Sequence, residues 1–218
     1  MEINTKAYWE WRFGSGDWEA KQGRLQTASF ARAQLARLDL PRSFSGTLLD
    51  FGCGLGDAIP LYKQAFPDAK LLGADFSTAA IARCKADYGH LAAFFVADHR
   101  AVPRVSVIVA SNVLEHVKDD LAVLSALLGR CDRLYIFVPY RERLHPGQEH
   151  IHSYDEASFQ DQRLYSVETF LCRGWSQFGM RGLWWNVYAK NAVRPLFGRP
   201  IARRARQIMF SFGQGSRG

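Results

Sequence analysis

Short apolar runs alternate with stretches of helical spacing between residues 45 and 140. The runs predict strands near 47–52, 70–75, 92–97, 105–110 and 133–139. Between them, apolar positions three and four apart predict helices near 56–66, 77–88 and 118–129. Ser77 suits an N-cap, Gly89 a helix stop, and Pro60 a first turn, where its missing N–H costs little. This alternation implies right-handed βαβ crossovers and a parallel sheet. Two later runs, 163–172 and 207–212, predict a sixth and a seventh strand. Between them lies an aromatic and basic stretch in which 182–194 reads as a helix, and 213–218 reads as a frayed tail. Upstream, residues 24–40 show helical spacing and stop at Pro41. Tyr8, Trp9, Trp11, Phe13 and Trp18 crowd residues 5–23 with too much bulk on both faces for a core strand, and Gly14, Gly16 and Gly23 break any long helix.

The most specific chemistry sits where the first strand ends, in Leu-Leu-Asp50-Phe-Gly52-Cys53-Gly54-Leu-Gly56-Asp57. Glycines there allow a sharp turn and let a ligand lie against bare main chain. A dinucleotide loop needs a small residue at the place held by Asp57, and an acid would face the pyrophosphate. Asp57 at a helix start favours a cationic or zwitterionic ligand instead. A second run ends in Asp75, followed by Phe76, where a carboxylate is placed to accept both hydroxyls of a ribose. A third ends in Asp98, and a fourth leads into Asn112-Val-Leu-Glu115-His116.

Together these runs, over about residues 45–160, resemble the motifs of class I S-adenosylmethionine-dependent methyltransferases. The resemblance implies an α/β, Rossmann-like methyltransferase fold: a mostly parallel seven-stranded sheet with an antiparallel last strand and helices on both faces. It implies S-adenosylmethionine as cofactor, with Asp50, Gly52, Cys53, Gly54, Gly56, Asp75, Phe76, Asp98 and Asn112 around it. The glycine loop would hold the methionine end, and Asp98 would meet the adenine amino group. The aromatic N-terminus resembles the lid of small-molecule members, folded over the cofactor; a helix packed on the sheet edge is an equally compatible reading. The expected organisation is a single domain: lid and helix over 1–44, cofactor core over 45–160, and C-terminal strands with a basic aromatic insert over 161–218.

Composition narrows the setting. The hydrophobic content of 48% is too high for a disordered chain. No apolar stretch is long enough to span a membrane, and Met-Glu-Ile-Asn-Thr-Lys lacks a signal-peptide core. Cys53, Cys84, Cys131 and Cys172 are widely spaced without a C-x-x-C, so a reduced, cytoplasmic location is the expectation. The net charge is +7, and nine cations but no acid follow Glu168, so residues 1–168 carry a net −2. Residues 173–206 therefore suit an anionic partner: peripheral contact with an anionic membrane first, nucleic acid second.

In open parallel sheets, ligands bind off the carboxyl ends of the strands, so the segment after the fifth strand faces the acceptor. It carries His145, His150 and His152, and histidine accepts protons near neutrality. His150 and His152 are the candidate catalytic residues, for methyl transfer to a small-molecule or glycan-like acceptor, with oxygen favoured. Two other readings are a 2′-O RNA methyltransferase using the basic C-terminal segment and a non-catalytic cofactor- or partner-binding protein. Glu115-His116 with a later histidine pair also resembles the metal-binding pattern of small-RNA 3′-terminal 2′-O-methyltransferases. Asn112 stands where that pattern has its first Glu, which weakens an oxygen-rich Mg²⁺ site, so no metal is expected.

Overall fold

The computed structural model describes residues 1–161, 163–172, 196 and 205–213. Among the described residues, seven strands form one sheet: β1 (Thr47–Phe51), β2 (Lys70–Asp75), β3 (Ala93–Val96), β4 (Val105–Ser111), β5 (Cys131–Pro139), β6 (Leu164–Cys172) and β7 (Ala205–Gly213). Their spatial order is β3-β2-β1-β4-β5-β7-β6. The first five pair in parallel, and β7 runs antiparallel to both β5 and β6. This is the expected doubly wound sheet with a reversed last strand. Strand order reverses between β1 and β4, which opens a crevice at their carboxyl ends.

The central strands read as near-continuous apolar runs because both faces are covered. One face packs against α6 (Asp120–Leu128), through Val123, Leu124 and Leu127 on Ile108, Leu134 and Ile136. The other packs against α3 (Gly23–Leu35), α4 (Ile59–Ala65) and α5 (Thr78–Tyr88), through residues such as Ala31, Ile59, Tyr62 and Ile81. Two further helices, α1 (Lys6–Gly14) and α2 (Asp17–Ala20), precede α3. Trp9 and Phe13 of α1 bury themselves against Leu55 and Ala80.

Ser77 caps α5 as expected, its hydroxyl accepting from Ala80 N at 3.1 Å. Two helices are shorter than the sequence spacing predicts. The one expected from residue 56 starts at Ile59, because Gly54 and Gly56 hold left-handed conformations that exclude a helix. The one expected to reach residue 40 stops at Leu35, after which tight turns carry Leu38 into the core. The expected helix at 182–194 and the tail beyond Gly213 fall outside the described residues, as does most of the basic segment. Among the described residues, no helix is long and apolar enough to cross a membrane.

The N-terminal helices are fastened to the core by one acid. The Glu10 carboxylate accepts from Ser77 Oγ (2.9 Å), Thr78 N (2.7 Å) and Ala79 N (2.9 Å), so α1 satisfies the first amides of α5. Burial would raise the Glu10 carboxyl, but the Ala79 and Thr78 amides outweigh it and hold it below its ordinary 4.5. A depressed folded value means that this stabilisation is present above the unfolded pKa and lost as pH falls through the folded one. Glu10→Gln is expected to cost about 1 kcal/mol at neutral pH. In urea titrations the difference from the parent protein should shrink below pH 4.5.

Candidate active site

The glycine loop after β1 is fixed from β2. Gly52 N and Cys53 N both donate to the Ala74 carbonyl, at 2.8 and 3.1 Å. Asp75, buried at the tip of β2, accepts from Gly54 N through Oδ2 and from Ser77 N through Oδ1, each at 2.9 Å. Gly52 has φ +71°, and a Cβ there would lie 2.4 Å from Val113 Cγ2, so no other residue fits without rearrangement. Burial raises the Asp75 carboxyl to about 6, against the Ser77 and Gly54 amides. Burial, with the Asp75 and Asp57 charges behind it, raises Asp50 to about 7.

A cavity of about 930 Å³ opens over this edge of the sheet. Gly52, Cys53, Gly54, Asp75 and Phe76 line one side, and α1 roofs it. The roof is aromatic: Trp9 stacks on Phe13 at 5.6 Å between ring centroids, and Trp18 meets both edge-on. Arg12 is buried among these rings and pairs with Asp17 at 2.8 Å and Glu149 at 3.5 Å. Asn4 and Tyr8 also bond to Glu149, through its carbonyl and its carboxylate respectively. The lid therefore closes onto the segment after β5.

The opposite wall carries His116, Glu142, Glu149 and His150. A 3₁₀ turn, Leu114–His116, follows β4 and buries Glu115 completely beneath this wall. His116 lies edge-on between Trp9 (5.1 Å) and His150 (4.8 Å). Burial and then the neighbouring His150 push His116 down to about 3. Burial raises Glu115 to about 7, against the pull of His150. His150 bonds the Glu142 carboxylate through Nδ1, and the surrounding acids raise it despite its burial.

A chain of amides supports this wall from below. Gln34 Nε2 donates to Gln207 Oε1 (3.0 Å), Gln207 Nε2 to Asn112 Oδ1 (2.8 Å), and Asn112 Nδ2 to Glu115 Oε1 (3.0 Å). Asn112 adopts φ +55°, a left-handed conformation that asparagine tolerates better than most residues.

Of the residues singled out in sequence, Gly52, Cys53, Gly54, Asp75, Phe76, Asn112 and His150 line the cavity. Asp50, Gly56, Asp98 and His152 do not. Asp50 is buried within β1. Gly56 turns toward α5, where a Cβ would meet Cys84 Sγ at 3.0 Å. Asp98 is exposed and accepts from Arg100 N at 2.9 Å. His152 turns away and bonds the Val117 carbonyl through Nε2 at 2.8 Å. Asp57 lies outside the cavity lining, and its Oδ1 accepts from both Arg24 Nε (2.8 Å) and Tyr88 OH (3.0 Å). The contacts of Tyr8 and Arg12 with Glu149 and the Gln34–Gln207 pair carried no sequence signal, since they join residues about 140 or more positions apart or without any common spacing.

A methyltransferase-domain family model matches residues 49–133. This match falls on the strands and glycine loop that build the cavity floor. Over residues 49–133 the chain is thus similar to a methyltransferase domain, in keeping with the resemblance of its motifs. No curated protein matches it in sequence. Among solved structures, it resembles coclaurine N-methyltransferase bound to N-methylheliamine and S-adenosylhomocysteine, at 12% identity and TM-score 0.60, over 86% of this chain and 72% of that one. The plantazolicin methyltransferase BpumL, in complex with S-adenosylhomocysteine, aligns at 16% identity and TM-score 0.51 over 97% and 96%. A chain of the complex between the Haloferax volcanii activator Trm112 and a methyltransferase partner aligns at 20% identity and TM-score 0.51, and the present chain spans 60% of its length. At these identities the likeness concerns the fold.

The amide chain gives the site a stability signature. Gln207→Leu would strip the buried Gln34 Nε2 of its partner and leave Asn112 Oδ1 with only the 3.3 Å bond from Ser111 Oγ. The variant should lose about 1–3 kcal/mol in chemical denaturation, the cost of one stranded group.

Proposed function

We propose that this methyltransferase moves the methyl group of S-adenosylmethionine to an oxygen of a small-molecule or glycan-like acceptor held beneath α1. The observation that carries this reading is that one roofed cavity joins the glycine loop and Asp75 to a histidine- and carboxylate-bearing wall. Its volume lies near the top of the usual range for a single small ligand, roughly 300–1,000 Å³, which leaves room for an acceptor beside the cofactor.

In this reading the ribose hydroxyls donate to Asp75, and the methionine end lies along Gly52, Cys53 and Gly54. Phe76 and Asp98 flank the adenine; β3 pairs Val96 with Asp75, which puts Asp98 two residues beyond the ribose position. Asp50 and Gly56 act from behind the loop as supports, and Asn112 borders the reacting centre. The acceptor oxygen attacks the methyl carbon, the carbon–sulfur bond breaks, and S-adenosylhomocysteine leaves with the electron pair. The hydroxyl proton passes to the wall at His150. His152 positions that segment through its bond to Val117. The sulfonium is already a good electrophile, so alignment and proton removal are what the protein supplies.

Four outcomes test this. Asp75→Asn should weaken S-adenosylmethionine binding at least tenfold by calorimetry, since charge-assisted hydrogen bonds contribute roughly 1.5–3 kcal/mol. Because bound hydroxyls favour the ionised carboxylate, affinity of the parent protein should be full above pH 6 and fall as pH drops through about 6. His150→Ala should lower kcat by roughly a hundredfold while sparing cofactor affinity. Product analysis with methyl-labelled cofactor across glycans, phenols, amines and RNA should put label on oxygen of a small acceptor. Label on RNA alone would overturn the reading.

A further inference from the structure

Glu115, His116 and His150 are gathered from two separate segments, and one ligating atom from each lies within 4.8 Å of the other two. Each side chain is also held by a hydrogen bond. His116 Nδ1 bonds the Glu149 carbonyl at 3.2 Å, and His150 Nδ1 bonds the Glu142 carboxylate. Glu115 Oε1 accepts from Asn112 Nδ2 at 3.0 Å. Donation from Nδ1 to an oxygen leaves the Nε2 lone pair of each ring available. Among the described residues, Glu115 Oε2 is buried with no hydrogen-bond partner, and an unsatisfied buried carboxylate oxygen is costly.

We propose that Glu115, His116 and His150 form a binding site for a divalent transition-metal cation. Two imidazole nitrogens and one carboxylate are a donor set suited to zinc and to the ions near it in the transition series. Outer partners that fix ring tautomer and direction, here Glu142 and the Glu149 carbonyl, are the usual companions of metal-binding histidines. The missing partner of Glu115 Oε2 is then the cation itself. No expectation of metal arose from the sequence because Asn112 replaces an oxygen ligand of an Mg²⁺ pattern. Here Asn112 instead orients Glu115, and His150 completes a nitrogen-rich set that does not require oxygen at position 112.

His116 and His150 line the cavity, so the open side of the cluster faces the proposed acceptor. The use of the site rests on that reading, though its existence does not. A cation there would take the acceptor oxygen as a further ligand, lower the pKa of its hydroxyl and release that proton to solvent before methyl transfer. His150 would then serve by holding the ion.

The test uses the full chain, stripped with a chelator and without cofactor or acceptor. Equilibrium dialysis against Zn²⁺, read by elemental analysis, should show one equivalent bound, and Co²⁺ should give the visible absorption of a low-symmetry nitrogen–oxygen site. His150→Ala should lose at least tenfold in affinity, and Glu142→Gln should lose roughly tenfold to a hundredfold as a partner of a ligand. His145→Ala, an exposed histidine outside the cavity, should bind as the parent does. If Glu115→Gln fails to fold, the His150 and Glu142 variants still decide. Less than one equivalent of either ion, or unchanged affinity in folded His150→Ala, overturns the metal site and leaves methyl transfer standing. Full metal binding with no methylated oxygen product overturns only the acceptor reading.

Discussion

A carboxylate buried at the tip of β2 is the constraint around which the site is assembled. Asp75 can lie almost fully out of water only because main-chain amides approach both of its oxygens. One amide belongs to the glycine loop and the other to the start of α5. The acid thus ties together the ends of two crossover units, and the left-handed glycines are what let the loop reach it. Glu10 repeats the device from outside, using amides one and two residues further along α5. Two carboxylates and one helix terminus therefore set both the floor and the roof of the cavity.

The roof depends on a different balance. Arg12 is a buried cation, and such a group persists only with strong partners. Asp17 and Glu149 supply charge, while Tyr8, Trp9 and Trp18 lie within 6 Å of its guanidinium. Because Glu149 comes from the segment after β5, α1 and the cavity wall formed by that segment share one electrostatic cluster. Changes in either should be felt by the other.

Much of the architecture was legible because parallel strands buried on both faces write themselves as apolar runs, and their carboxyl ends as Asp50, Asp75 and Asp98. The glycine loop was legible because φ and space leave few alternatives at Gly52. Boundaries shifted where local geometry overrode periodicity, as at residues 56–58. The site was half legible. Asp75 and His150 lie in the cavity lining, as their positions suggested, whereas Asp98 and His152, of the same residue types, lie outside that lining, since strand register and loop path decide placement. Asp57 looked like ligand chemistry until Arg24, 33 residues upstream, was seen to hold it. The Gln34–Gln207–Asn112 chain joins three uncharged side chains with no mutual spacing, so only the tertiary structure brings them together.

The position of β7 has a consequence for how the chain reaches this state. It separates β5 from β6 and supplies Gln207 to the amide chain beneath Glu115. Until residues 205–213 emerge during synthesis, β5 offers an unpaired edge, β6 has no neighbour, and the cavity wall around Glu115 lacks its underpinning. The cofactor floor, built from residues 47–111, can assemble well before that. Nascent chains should therefore pass through a stage with a formed nucleotide-binding half and an unfinished, aggregation-prone edge.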